Sequence, residues 1–152
     1  MLSTCDLYDQ HLETIGTLPP ALIHFGAISS FSGAVETVKC FEDNSKVKQL
    51  AESPGHGRVL VVDAGGSVRH ALVGDLVAKA AMDNGWAGIV LWGAVRDMAA
   101  LRALDVGIMA IARTPRKSVR NGEGQVGIDI RIGDVRIASG DFLVADEDGA
   151  LL

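Results

Sequence analysis

Two dipeptides carry the residue types that chemistry on an anionic carbon acid requires. Gly74-Asp75-Leu76-Val77 opens a helical pattern, and Arg96-Asp97 follows at the next strand-to-helix turn. The first-turn N–H groups of a helix lack intrahelical partners, and the positive end of the helix dipole lies there too. Gly74, Asp75, Leu76 and Val77 therefore offer a seat for a small carboxylate. An arginine such as Arg96 grips a carboxylate through two parallel hydrogen bonds. A carboxylate beside it, Asp97, suits Mg²⁺ or Mn²⁺, hard cations that take oxygen ligands and retain several waters. Each piece also has a plainer reading. Asp75 can be a first-turn acid or cap paired with Lys79 one turn on, and Arg96-Asp97 can be a surface ion pair or a helix cap.

Other chemistries find less support. Gly65-Gly66-Ser67-Val68-Arg69-His70 fails the G-x-G-x-x-G pattern of a dinucleotide site, and no G-x-x-x-x-G-K-[ST] phosphate loop occurs. A methyl-donor loop would want an acid closing the next strand, which instead ends Leu91-Trp92-Gly93. The four histidines show no metal-ligand spacing, and no G-x-S-x-G elbow is present. Cys5 and Cys40 are the only cysteines, without a CxxC, so neither a disulfide framework nor a zinc site is expected.

The elements that must position the two dipeptides follow from hydrophobic periodicity. Thr4 to His11 reads as a short helix capped by Thr4. Ala34 to Cys40 alternates as a strand, and Asn44 caps a helix with Val47, Leu50 and Ala51 on one face. Arg58–Asp63, Ala87–Trp92 and Ile108–Ile111 are apolar runs, expected to be strands covered on both faces. Between them lie a helix over Gly74–Asn84, with Leu76, Val77, Ala80 and Ala81 inward, and a short helix over Asp97–Leu104. The order β-α-β-α-β favours parallel strands with right-handed crossovers, and ligands collect outside the carboxyl ends of such strands. The turns after Asp63 and after Trp92 are the two candidate loops. Val126, Ile128, Ile130 and Ile132 then alternate, Gly133-Asp134 fits a hairpin turn, and Phe142 to Ala145 gives a last strand. The expected fold is α/β, a parallel β-α-β core with an antiparallel, β-rich C-terminal end, in one domain over residues 1–152.

Composition agrees. Of 152 residues, 48% are hydrophobic and 22% charged, which excludes a disordered chain and allows a sizeable core. The 18 glycines exceed the roughly 11 of average usage, which suits tight turns and short connections. A formal net charge of −5 gives no basic footprint for nucleic acid. No apolar run approaches the ~20 residues of a membrane span, and the first residues lack the pattern of a secretory signal. A cytoplasmic, reduced location is expected.

Gly74-Asp75 followed by Arg96-Asp97, with Leu76 to Val95 between them, resembles the signature of the RraA-like family. That family includes the regulator of ribonuclease activity A and the class II 4-hydroxy-4-methyl-2-oxoglutarate aldolases. Matching stretches run in order along nearly the whole chain: Phe25 to Gly33, Val38 to Asn44, Arg58 to Ser67, Gly93 to Asp97, Asp105 to Ile108, Ser139 to Asp141, and Ala145-Asp146. The resemblance implies a swivelling β/β/α domain, commonly a homotrimer. It implies cleavage of 4-hydroxy-4-methyl-2-oxoglutarate into two pyruvates, with decarboxylation of oxaloacetate at the same site. The backbone at Gly74, Asp75, Leu76 and Val77 would then hold the pyruvyl carboxylate, and Arg96 would bind the 2-oxo acid end. Asp97 would ligate the divalent cation, and Asp75 would act through a water as base. Both reactions leave a pyruvate enolate, whose charge a Lewis acid and a fixed guanidinium accommodate. The acid that the aldolases often carry three residues beyond the metal aspartate is Ala100 here. The family's other activity implies a different partner, an RNA-degrading endonuclease inhibited by protein contact.

Overall fold

Strands and helices alternate through the middle of the chain and strands crowd its end in the computed structural model, which describes residues 2–152. The strands are β1 (Ile23–His24), β2 (Phe31–Lys39), β3 (Val59–Asp63), β4 (Ala71–Val73), β5 (Gly88–Trp92), β6 (Ala94–Val95), β7 (Gly107–Ala110), β8 (Ala112–Arg113), β9 (Gln125–Val126), β10 (Ile130–Ile132), β11 (Val135–Ile137), β12 (Phe142–Asp146) and β13 (Gly149–Leu151). The helices are α1 (Thr4–Gln10), α2 (Ser45–Ala51), α3 (Asp75–Asp83) and α4 (Met98–Leu101). β2, β3, β5 and β7 are parallel, as the β-α-β pattern predicts. They form the centre of a sheet ordered β1-β7-β5-β3-β2-β12-β13, with antiparallel strands at both ends.

Alternate residues of the central strands go to opposite layers. Leu60, Val62, Ile89, Leu91 and Ile108 join Val47, Ala51, Val77, Ala78 and Ala81 of the helices. Val59, Val61, Val90 and Met109 join Ile130, Ile132, Val135 and Ile137 of the β10–β11 hairpin. Covered on both faces, these strands are continuous apolar runs, and the three layers make the expected β/β/α domain. Gly88 and Gly107 admit the Phe31 ring to the second layer. A Cβ on either would lie 2.6 or 2.3 Å from ring atoms.

Several expectations are corrected. Ser3, not Thr4, caps α1, accepting the Asp6 N–H at 3.0 Å. Thr4 is buried and donates through its N–H and Oγ1 to Asp146, at 2.8 and 2.7 Å. The last α-helix stops at Leu101 and continues only as tight turns through Leu104, which still packs on the core. Val126 and Ile128 do not continue the inward stripe of Ile130 and Ile132. Gly127, at φ 79°, breaks the strand, and both residues are exposed.

A second sheet matters most for function. The chain breaks at Gly93 and Ile111, so that β5 and β7 pass into β6 and β8. With β4 these form a small parallel sheet ordered β4-β6-β8.

Candidate active site

Three segments converge at the carboxyl ends of that small sheet. β4 ends at Val73 and Gly74 starts α3. β6 ends at Val95 and leads into Arg96-Asp97. Residues 116–120 run along the other edge of β4. There the Ala71 N–H donates to the Arg116 carbonyl at 2.7 Å, and the Ser118 N–H donates to the Ala71 carbonyl at 3.2 Å. Together they line an open cleft of about 600 Å³. A larger hollow of about 840 Å³ lies between α1 and the hairpin turn. Its one basic side chain, Arg136, is already paired with Asp129, so it offers no comparable anion seat.

Asp97 has a left-handed backbone, φ 61° and ψ 45°. For an L-residue that conformation costs roughly 1–2 kcal/mol, and such strain persists where the surroundings or function require it. Its side chain does not cap its own helix. It reaches across to α3, where Oδ2 accepts the Asp75 N–H at 3.0 Å. Asp75 Oδ1 accepts the Leu76 N–H at 2.8 Å. Two of the four amides singled out for a carboxylate thus already hold carboxylate oxygens of the protein. The Arg96 N–H is fixed to the Val73 carbonyl at 3.0 Å. Its Nε is buried without a hydrogen-bond partner and lies 3.7 Å from Asp97 Oδ1, an ion pair longer than a hydrogen bond. About a third of each side chain, 35% for Arg96 and 33% for Asp97, faces solvent. Both lean over Gly74, where a Cβ would lie 2.7 Å from Asp97 Oδ2 and 3.0 Å from Arg96 Cγ.

Leu76 corrects the helical face read from the sequence. Val77, Ala78 and Ala81 are the buried residues of α3, whereas Leu76 is 76% exposed at the cleft mouth. Lys79 pairs with Asp83 at 2.7 Å rather than with Asp75. The glycine turn after Asp63 does not reach the cleft. Asp63 Oδ1 ties it back through the Gly65 N–H at 2.9 Å. Burial, with Asp43 and Asp63 nearby, pushes the Cys40 thiol up to about 12, which removes it as a nucleophile near neutral pH.

The sequence reading missed the opposite wall: Lys117, Ser118 and Arg120 also line the cleft. They sit in an irregular stretch without periodicity, and the only sequence signal was three polar residues close together. The wall is held by Asp43-Asn44. Asn44 was expected to cap α2, but its side chain is committed elsewhere. Nδ2 donates to the Leu72 carbonyl at 3.0 Å, and Oδ1 accepts Arg120 Nε at 3.0 Å. Asp43 is 2% exposed. It accepts from Ser45 N–H and Oγ at 2.9 and 2.6 Å, and from the Asn121 and Glu123 N–H groups at 2.8 and 3.2 Å. Burial alone would raise its carboxyl, but these hydrogen bonds outweigh it and hold the group below the usual carboxylate range.

Among the described residues, no three His, Cys, Asp or Glu side chains gather as a ready-made metal cage. The donor set here is Asp97, with Asp75 near it. That fits a cation held by one or two carboxylates plus water and ligand oxygens, as Mg²⁺ commonly is, and does not fit a closed zinc site.

Fold and cleft define the class: a three-layer β/β/α domain with an anion-receiving cleft at the carboxyl ends of parallel strands. The RraA-like family model (Aldolase/RraA) matches residues 4–152, and the chain belongs to that family. It is 44% identical over 149 residues to the "Putative 4-hydroxy-4-methyl-2-oxoglutarate aldolase" of Hahella chejuensis, spanning 98% of this chain and 91% of that one. Among solved structures it resembles the RNA-processing inhibitor RraA from Thermus thermophilis, with TM-score 0.96 and 44% identity, covering 100% of this chain and 92% of that chain. It also resembles the S-adenosylmethionine: 2-dimethylmenaquinone methyltransferase from Geobacillus kaustophilus, with TM-score 0.95 and 39% identity, covering 99% and 93%.

Proposed function

We propose that this protein is a divalent-metal-dependent lyase. It cleaves 4-hydroxy-4-methyl-2-oxoglutarate into two pyruvates and decarboxylates oxaloacetate as a side activity. The observation that carries the reading is Arg96-Asp97 facing the amino end of α3 across Gly74, with Asp97 Oδ2 3.0 Å from the Asp75 amide. The aldolase names of relatives such as the Hahella protein support it.

Arg96 fixes the 2-oxo acid end, and first-turn amides of α3 receive its carboxylate. Asp75, through a water, takes the C4 hydroxyl proton. The C3–C4 bond then breaks. Its electron pair stays with the three-carbon enolate, and C4 becomes the carbonyl carbon of the other pyruvate. Return of a proton to C3 completes the second pyruvate. When bound at Asp97, a divalent cation supplies a Lewis acid for charge developing on the 2-oxo oxygen. Arg96 adds a fixed positive charge beside it. With Mg²⁺ or Mn²⁺, the protein is expected to release pyruvate from both substrates well above the rate of the metal alone, and EDTA is expected to remove the excess. A rate equal to that of free metal, read by a coupled pyruvate assay, would refute the activity.

A second reading is favoured by the likeness to the Thermus RNA-processing inhibitor: an acidic protein, net charge −5, that docks on an RNA-degrading endonuclease. Methyl transfer gains nothing from the site, because β5 closes at Trp92 and not at an acid. In either role we place the protein in the cytoplasm as a homotrimer. Leu76 and Val119, 76% and 51% exposed at the cleft, give a neighbouring subunit apolar surface to cover. Light scattering tests both points. A monomer mass for the protein alone refutes the trimer, and a mass unchanged by added endonuclease refutes the docking.

A further inference from the structure

We infer that Arg120, with Lys117 and Ser118 beside it, forms a second anion seat that selects 2-oxo acids carrying a carboxylate beyond the scissile bond. The inference rests on the lyase reading above and names the substrate class of that site. Arg96-Asp97 and residues 116–118 flank β4 on opposite edges. With ~4.8 Å between neighbouring strands, their backbones stand about 10 Å apart. One cleft therefore has a cationic group on each side, with room for a ligand that is anionic at both ends.

Arg120 is exposed but not loose. Asn44 holds its Nε at 3.0 Å, and Asn44 is itself anchored to the Leu72 carbonyl. Buried Asp43 ties down the following turn through the Asn121 and Glu123 amides, and Ser45 Oγ accepts the Gly122 N–H at 2.9 Å. With Nε committed, the terminal guanidinium nitrogens remain for a bidentate pair with a carboxylate. Ser118 Oγ is buried and has no hydrogen-bond partner. Among the described residues, neither Lys117 nor Arg120 forms an ion pair. Three cations around one cleft of a net acidic chain repel each other, and a second carboxylate relieves that repulsion.

The two proposed substrates separate under this assignment. The C5 carboxylate of 4-hydroxy-4-methyl-2-oxoglutarate leaves with the carbonyl fragment and reaches the second seat. Oxaloacetate has no such group, since its C4 departs as carbon dioxide.

The test pairs Arg120→Met and Lys117→Met with wild type, each checked for an unchanged melting temperature. In Arg120→Met, kcat/KM for the six-carbon aldol substrate is expected to fall about 30-fold, mainly through KM, while oxaloacetate decarboxylation stays within about threefold. Lys117→Met moves the same way by less, and carries the test should Arg120→Met fail to fold. Arg120→Lys recovers part of the loss. Calorimetry in Mg²⁺ buffer supplies a readout independent of turnover. Wild type is expected to bind 2-oxoglutarate about tenfold tighter than 2-oxopentanoate, and Arg120→Met to bind the two alike. Equal losses on both substrates, no loss on either, or no preference between the two ligands in wild type would overturn the assignment. A preference that Arg120→Met abolishes, in a wild type that turns over neither substrate, would uphold the second seat and remove the lyase reading.

Discussion

Asp97→Asn is expected to lower metal-dependent pyruvate release by about a thousandfold while moving the melting temperature by no more than a few degrees. The substitution isolates charge from shape. Asparagine tolerates the left-handed backbone at φ 61° as readily as aspartate does. Its side-chain oxygen still accepts the Asp75 amide now held at 3.0 Å. What disappears is the anionic donor for a divalent cation and the partner 3.7 Å from Arg96 Nε. Asp97→Gly carries the argument to its limit. It removes the side chain, yet it relieves a conformation costing roughly 1–2 kcal/mol in an L-residue. Its stability should equal or exceed that of wild type while activity is lost. Coupled pyruvate assays beside thermal denaturation read both quantities. Asp97→Asn activity within tenfold of wild type would remove Asp97 as the metal ligand. A stability loss of several kcal/mol would instead make its role structural.

The core was legible in the sequence because each central strand is buried on both faces, and an apolar run such as Val59–Asp63 has few other fates in a chain this size. The Gly133-Asp134 hairpin was legible because alternation on both sides of a turn fixes register, and Ile132 does face Val135. What failed was short or bent. β4, β6 and β8 hold three, two and two residues, too few to show a period, yet they aim every residue of the cleft. The stripe from Val126 to Ile132 looked continuous, but Gly127 turns the chain away, and the first two side chains never reach the core. Leu76 was misplaced because the inward face of a helix that starts at Gly74 is set by how β4 delivers it, which periodicity over nine residues resolves poorly. Half the cleft, Gly74 to Val77 with Arg96-Asp97, stood out because helix starts and adjacent Arg-Asp pairs have recognisable chemistry. Lys117, Ser118 and Arg120 come to the site through pairing with Ala71 and through Asn44, contacts more than forty positions apart in the chain.

Gly74 is where sequence, fold and proposed chemistry meet most narrowly, and Gly74→Ala is expected to cost about a hundredfold in kcat/KM. Its backbone, φ −124° and ψ −163°, is extended and open to any residue, so the new methyl strains no torsion. The obstacle is space. The added Cβ would lie 2.7 Å from Asp97 Oδ2 and 3.0 Å from Arg96 Cγ. Both side chains are about a third exposed and can swing outward, so the fold should lose less than about 1 kcal/mol, below the usual cost of overpacking a closed core. The swing separates Asp97 from the Asp75 amide and turns the Arg96 guanidinium off the same spot. A displacement near 1 Å at both groups is enough to misplace a bound 2-oxo acid. Gly107→Ala is the contrasting control, since its methyl would meet the Phe31 ring at 2.3 Å, deep in the second layer, where nothing can yield. Gly107→Ala should therefore lose stability and activity together, and Gly74→Ala activity alone. If Gly74→Ala retained full kcat/KM, the close approach of Arg96-Asp97 to α3 would not be part of the chemistry. If it unfolded as Gly107→Ala does, the glycine would serve the fold rather than the site.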